Sequence, residues 1–321
     1  MGDIMIQKKL GDIIKTIRLK KGLSQKEACK GICDRRTYIR WEKNEIEPSI
    51  YNINKLSNRF NYDFQAYYKM FICDLSEHAW LYKERAETYL VQKDWTNLYA
   101  LLKEIDSFHE FQNGENKQTI LYYKAIYFSK YKMDFNQSIK LCLEGLKEED
   151  ANYSITCQSL SIFTNVGLSL LNCLACNYNK IEKKQLANNI FRNLIEIIDN
   201  KIFKDLHYYQ SIDFEKKLYQ ITTYNLSVNL KREKQYIDSL YYINKGIQFS
   251  LKHNYLFDLA DLFQIKFKLL YLLDNYIEAK TAFNLCINLY LLQNNMKEYN
   301  YFTSIIDTEY PKLKCIESSS N

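Results

Sequence analysis

Four short polar turns in this chain end in an aromatic residue, and the residues after each aromatic follow one pattern. The turns are Asp94-Trp95, Asp134-Phe135, Gln235-Tyr236 and Asn275-Tyr276. The first two aromatics are 40 residues apart, and so are the last two. Three residues on stands Leu98, Ser138, Ser239 or Ala279. Seven on stands Leu102, Cys142, Ile243 or Phe283, and ten on stands Ile105, Gly145, Gly246 or Cys286. Such spacing marks one face of an α-helix. Small residues let a neighbouring helix approach, and bulky ones fill the space between. A helical hairpin built this way cannot bury its face alone, so hairpins must stack. Breakers are scarce, with 8 Gly and 2 Pro in 321 residues. The chain is therefore expected to be all-α over most of its length, with about five hairpins. A longer middle unit is expected to have helices near 151–177 and 180–200, and a last helix at 296–309 is expected to close the array.

The N-terminal fifth reads differently. Leu10, Ile13, Ile14 and Ile17 recur at helical spacing and predict a helix over 7–21, ended by Gly22 in a left-handed cap. Ser24 opens a capping box with Glu27, predicting a second helix over 24–30. Gly31 allows a tight turn. Asp34 caps a third helix, RRTYIRWEK, and Asn44 tolerates the left-handed exit it needs. After Pro48-Ser49 comes IYNINKLSNRF, in which Ile50, Ile53, Leu56 and Phe60 form one stripe. Residues 1–68 hold 14 Lys+Arg against 8 Asp+Glu, whereas the remainder holds 30 of each. The whole net charge of +6 thus sits beside this motif, which favours a polyanion partner.

The segments LSQKE, GIC, RRTYIRWEKNE and EPS resemble the helix-turn-helix of the lambda-repressor superfamily. They resemble more closely the Rgg/PlcR group of peptide-responsive transcription regulators of Gram-positive bacteria. The match covers residues 8–68. Ala28 stands where that group usually has Leu, Tyr38 where it has a smaller apolar residue, and Asn44 where it has Gly; the gain at 38 would offset the loss at 28. The aromatic–small–bulky–small pattern is that of the second helix of a tetratricopeptide repeat, which this group also carries. The resemblance implies a five-helix DNA-binding domain at 1–68 and a connecting helix or linker at 69–76. It further implies a right-handed tetratricopeptide-like superhelix at 77–321 for peptide binding and dimerisation. The hinge would span about Asp63 to Ser76.

Residues at the exposed start of a recognition helix face the major groove. Arg35, Arg36 and Arg40 lie there; Arg can grip guanine O6 and N7 together, and Arg36 and Arg40 can equally hold phosphates. Thr37 is placed for a base or a phosphate, and Lys43 for the backbone. Gln25 resembles the group's phosphate-contacting glutamine. Arg18 and Glu42 occupy positions that form a buried ion pair in the superfamily, and Trp41 reads as core.

In the repeats, first helices are expected to line a concave groove. Asn and Gln suit an extended peptide there, because each both donates and accepts. Counting back eleven residues from the repeat aromatic reaches Lys124 and Asn225, and a turn one residue longer reaches Gln264. Asn225 lies in TTYNLSVNL, which resembles the group's peptide-holding segment. Asn165 is the corresponding choice in the middle unit, with Tyr123, Tyr224 and Asn229 as neighbours. Most of the 28 tyrosines read as packing residues.

Other classes find little support. Nine irregularly spaced cysteines suit reduced thiols in a cytoplasmic chain, and the lone Cys173-x-x-Cys176 sits in an apolar run without further metal ligands. No phosphate loop, zinc-protease or nucleophile-elbow motif occurs, so neither enzyme nor cofactor is expected. No signal peptide or membrane span is read in the sequence. The expectation is a cytoplasmic homodimer that reads a pseudo-palindromic operator in double-stranded DNA and responds to a short signalling peptide, as in quorum sensing. The alternatives are a constitutive repressor or antitoxin-like regulator whose repeats only dimerise or hold a protein, and a phosphorelay-binding scaffold.

Overall fold

The structure is a computed structural model that describes residues 9–62, 64, 77–155, 163–204 and 213–313. Among them are fifteen α-helices and no strand. They cluster into two compact units, one running to Gln112 and the other starting at Asn113.

The first unit opens with α1 (Leu10–Lys20), α2 (Gln25–Cys29), α3 (Arg35–Glu42) and α4 (Ile50–Phe60). The expected caps form. The Ser24 hydroxyl accepts from the Glu27 amide at 3.2 Å, and the Glu27 carboxylate accepts from the Ser24 amide at 2.8 Å. Asp34 accepts from the Thr37 amide at 2.9 Å, and Ser49 caps α4. Gly22, Gly31 and Asn44 take left-handed backbone, at φ of 68°, 73° and 58°. Asn44 does a second job that the usual glycine could not: its side-chain oxygen accepts from the Gly11 amide at 2.8 Å. Gly11 is where α1 meets α3, for a Cβ there would lie 1.9 Å from the Trp41 carbonyl oxygen.

Leu10, Ile14, Ala28, Tyr38, Trp41, Ile53, Leu56 and Phe60 form one core. Ala28 and Tyr38 are both fully buried in it, so the small and large departures share one packed space. Ile50 leaves its predicted stripe: as the first residue of α4 it is 60% exposed. A fifth helix in this domain, the 69–76 linker and all of the Asp63–Ser76 hinge but Phe64 fall outside the described residues.

The same unit holds the first hairpin, α5 (Glu77–Gln92) and α6 (Trp95–Ile105). The second unit holds α7 (Gly114–Tyr127) with α8 (Phe135–Lys147), α9 (Asn165–Lys180) with α10 (Lys184–Lys204), α11 (Asp213–Arg232) with α12 (Tyr236–Lys252), and α13 (Leu259–Leu272) with α14 (Tyr276–Leu292). Helix α15 (Met296–Glu309) follows. The five hairpins and the last helix match the expected count. In the middle unit the first helix begins at Asn165, since Ala151–Ile155 is turn, not helix as expected.

Every residue at the +3, +7 and +10 positions of α6, α8, α12 and α14 is buried. The glycines at +10 mark close helix approaches. A Cβ on Gly145 would lie 2.7 Å from Leu170, and one on Gly246 would lie 2.5 Å from Thr223 Oγ1. Helix α10 obeys the same rule with Ala187, Phe191 and Leu194, all fully buried, although its first position is Lys184. The turn before each second helix carries a left-handed residue: Lys93, Met133, Glu182, Lys234 or Asp274.

Candidate functional site

Two separate sets of side chains stand out, one on α3 and one shared by the first helices of the second unit.

Arg35, Arg36, Arg40 and Lys43 are exposed along α3, and with Ile39 and Glu45 they line one shallow concavity. Glu45 is an acid within this basic surface. It lies 3.5 Å from Arg40 and 3.9 Å from Lys43, a pairing the sequence reading did not foresee. Thr37 is committed to the helix cap: its hydroxyl donates to Asp34 Oδ2 at 2.6 Å. That bond, followed by the Thr37 amide, holds the Asp34 carboxyl below its ordinary range.

Beneath α3 the expected ion pair is present. Arg18 Nε donates to Glu42 Oε1 at 2.5 Å and Arg18 Nη2 to Oε2 at 3.1 Å, with both residues buried. The pairing with Glu42 pushes the Arg18 guanidinium further up. Arg18 Nη1 also donates to the Leu23 carbonyl at 2.8 Å. Gln25 joins the network, donating to Glu42 Oε2 at 2.9 Å. Its side chain is therefore held in place by the buried pair, not simply set loose at the helix start. A further clamp escaped the sequence reading. Arg59 on α4 donates to the carbonyls of Glu27 and Lys30, each at 2.7 Å, and so ties the end of α2 to the helix behind it. The result is a short helix, a turn and an arginine-bearing helix in fixed relation, with cations facing outward.

In the second unit, first helices touch one another directly: α7 with α9, α9 with α11, and α11 with α13. Their register can be read from the turns. At the end of three first helices an amide donates to the carbonyl five residues back: Lys183 to Tyr178, Gln235 to Leu230, and Asn275 to Leu270. After α7 the same bond spans six residues, Asp134 to Phe128, because a π turn at Phe128–Lys132 takes up one more. Aligned on these bonds, Tyr122, Asn172, Tyr224 and Gln264 occupy equivalent places, and all four are half-buried. One turn on, Ile126, Cys176, Val228 and Lys268 are equivalent and also half-buried. These positions make a row that crosses four helices. Burial pushes the Tyr122 phenol up to about 12. Asn225 Nδ2 of α11 lies 3.7 Å from Cys176 Sγ of α9. Burial first, then Asp261 of α13, pushes the Tyr224 phenol up.

The register sets the residues expected to meet a peptide at different places. Tyr224 and Gln264 lie in the row and Asn225 lies beside it. Tyr123, 4% exposed, is equivalent to Cys173, Asn225 and Ile265, and of these four only Asn225 is half-buried. Lys124 is one residue further round, outside the row. Asn229 is buried and donates to Asn188 Oδ1 at 3.0 Å. Asn165 is the exposed first residue of α9, two turns ahead of the row. Gln264 earns its place without the longer turn invoked for it, since the turns after α11 and α13 are equal; it matches Tyr224 rather than Asn225. Sequence reasoning missed Tyr122, hidden by the π turn, and Asn172. The Asn172 side-chain oxygen is buried and has no hydrogen-bond partner among the described residues.

Among the described residues no group of three His, Cys, Asp or Glu side chains is placed to hold a metal ion, and no helix is long and apolar enough to cross a membrane.

Residues 14–66 match the helix-turn-helix family HTH_3. No curated protein matches the sequence. Several solved structures are similar over nearly the whole chain. One is PlcR of Bacillus thuringiensis in complex with the peptide PapR7 and DNA, with 20% identity and a TM-score of 0.68, covering 94% of this chain and 99% of that one. Another is a putative transcriptional regulator of Listeria monocytogenes, with 15% identity and a TM-score of 0.64, covering 95% and 98%. A third is the pheromone receptor Rgg2 of Streptococcus dysgalactiae, with 13% identity and a TM-score of 0.60, covering 94% and 100%. The chain thus carries a helix-turn-helix domain and shares its fold, almost end to end, with PlcR and Rgg2.

Proposed function

We propose that this chain is a cytoplasmic transcription regulator that reads DNA with α3 and binds a short signalling peptide along the row on its first repeat helices. One observation carries the reading. A fixed helix with outward arginines and a row of half-buried polar side chains with an unsatisfied Asn172 occur in one chain. Exposed cations at a recognition helix meet bases and phosphates. Amides and phenols on a continuous helical face meet the backbone groups of an extended peptide. The likeness to a structure solved with peptide and DNA supports pairing the two roles. Tyr122, Asn172, Tyr224, Asn225 and Gln264 are the peptide contacts in this reading. Arg35, Arg36, Arg40 and Lys43 are the DNA contacts, and Gln25 and Thr37 are held as supports.

The regulator acts as a homodimer, its two recognition helices about 34 Å apart on a pseudo-palindrome. Peptide changes operator occupancy by binding one conformational state better than the other. The test is selection of random-sequence duplexes by the full-length protein, repeated with peptides encoded beside its gene. A two-fold-symmetric site should emerge, and a peptide should shift its occupancy. Recovery of the starting pool without enrichment would overturn the DNA reading, and unchanged occupancy with every such peptide the sensor reading.

A further inference from the structure

One acid lies among the cations of the α3 concavity, whose lining is Arg35, Arg36, Ile39, Arg40, Lys43 and Glu45. Asp34, the acid at the other end of the helix, is committed to the cap and accepts from the Thr37 amide and hydroxyl. Glu45 is placed differently. Its amide donates to the Arg40 carbonyl at 2.9 Å, which turns the chain back onto α3. Its carboxylate lies 3.5 Å from Arg40 Nε and 3.9 Å from Lys43 Nζ. The Arg40 and Glu45 side chains are 47% and 48% exposed, so the pair is open to any duplex that meets α3.

A surface that only gripped phosphates would exclude a carboxylate, because every phosphate repels it. In the major groove the hydrogen-bond donors are the cytosine N4 and adenine N6 amines. The neighbour of Glu45 decides between them. Arg40 faces Glu45 with Nε, which leaves its two terminal nitrogens to donate elsewhere. Side by side, the two residues present two donors and then an acceptor. A G·C pair presents guanine N7 and O6, which accept, and then cytosine N4, which donates. An A·T pair presents acceptor, donor, acceptor and a methyl group, and matches in neither direction. A C·G pair presents the right groups in the reverse order.

We propose that Arg40 and Glu45 together read one oriented G·C base pair in each half of the operator. Arg40 holds the guanine, and Glu45 accepts from cytosine N4. Glu45 is thus a specificity-determining residue outside α3 itself. The inference rests on the DNA-reading role proposed for α3.

Full-length protein first selects its operator from random-sequence duplexes. One position in each half-site should be fixed as G·C, and Glu45→Ala should lose that preference while keeping the others. Gel shifts then use the selected operator with altered bases at that pair. Inosine in place of guanine leaves the major-groove edge unchanged and should leave affinity unchanged. Pyrimidin-2-one in place of cytosine removes the N4 amine, and 7-deazaguanine in place of guanine removes N7. Each should weaken wild-type binding about tenfold, the scale of one hydrogen bond to a charged group. Glu45→Ala should be indifferent to the missing amine and still sense the missing N7, and Arg40→Ala should do the reverse. Glu45→Gln keeps an acceptor and should keep part of the preference. Because the Glu45 side chain is half exposed, its variants should melt as wild type does.

A wild-type protein indifferent to the missing amine at every G·C pair of its site overturns the paired reading while the DNA reading stands. So does a Glu45→Ala variant with unchanged base preferences. Recovery of the starting pool without enrichment overturns both. Loss of every base preference in Glu45→Ala, or a marked fall in its melting temperature, also overturns the paired reading by making Glu45 a support of the head.

Discussion

The DNA-reading head and the repeat unit treat buried polar atoms in opposite ways. In the head, Arg18, Glu42 and Gln25 satisfy one another, and Arg59 closes two backbone carbonyls. In the repeats, the buried Asn172 oxygen has no hydrogen-bond partner among the described residues. A completed network fixes geometry, which a helix that must meet a rigid duplex needs. An incomplete one leaves bonding capacity for a guest. The head has an exception: the buried Tyr38 hydroxyl has no hydrogen-bond partner among the described residues, and burial pushes its phenol far up. The contrast is therefore one of emphasis, and substitutions can break or sharpen it.

The largest effect is expected at the completed network. Glu42→Ala strands Arg18 in the core and should cost the head about 3–5 kcal/mol. Urea denaturation followed by fluorescence should show it, and a loss below about 1 kcal/mol would mean that the network does not hold α3.

Next in size is the reader itself. Arg35→Ala should weaken specific binding by about 1–3 kcal/mol and relax preference at one base pair. Lys43→Ala should weaken all duplexes alike and lower the salt slope by about 1. Gel-shift titrations across ionic strength separate the two, and equal behaviour would erase the distinction between base and backbone contacts.

Asn172→Leu tests the open side of the comparison. It removes an unsatisfied oxygen, so stability should change by less than about 1 kcal/mol, while the response to peptide is lost. A large destabilisation would show that Asn172 is structural.

The smallest effect belongs to Glu45→Gln. Exposed pairs such as those with Arg40 and Lys43 are worth about 0.2–1 kcal/mol. Freeing both cations should tighten non-specific DNA binding about twofold and steepen its salt dependence. Weaker binding would instead mark Glu45 as the group that aims Arg40.

Much of the fold was legible because its signals are local. The Ser24–Glu27 capping box, the Asp34 cap, the left-handed Gly22, Gly31 and Asn44, and the helical spacing of the +3, +7 and +10 residues each act over a few residues. The Arg18–Glu42 pair was reached only through family resemblance, since its members are 24 residues apart. Two further failures have physical causes. Lys93, Met133, Glu182, Lys234 and Asp274 adopt a backbone for which glycine is the usual sign, so the bend itself was not foreseen, and four of these turns were legible only from the polar–aromatic pair that follows. Lys184 in place of an aromatic hid the middle repeat, and its first helix was consequently placed too early. At the site, residue type was a fair guide and register was not. Of the residues expected there, Tyr224 and Gln264 fall in the half-buried row and Asn225 beside it, whereas Tyr123 and Asn229 are buried and Lys124 lies one residue further round. No sequence pattern announces which polar atoms will lack partners, because that depends on what the neighbouring helices bring.

The π turn at Phe128–Lys132 has a consequence for how the repeat face tolerates a change in chain length. One residue turns a helix by about 100°. Removing a single residue from that turn would place Tyr122 eleven residues before the turn's donor amide, as Asn172, Tyr224 and Gln264 already are, so the row would keep its members. The π turn thus stores one extra residue without rotating the face that α7 presents. A codon can be gained or lost there while every residue upstream holds its place.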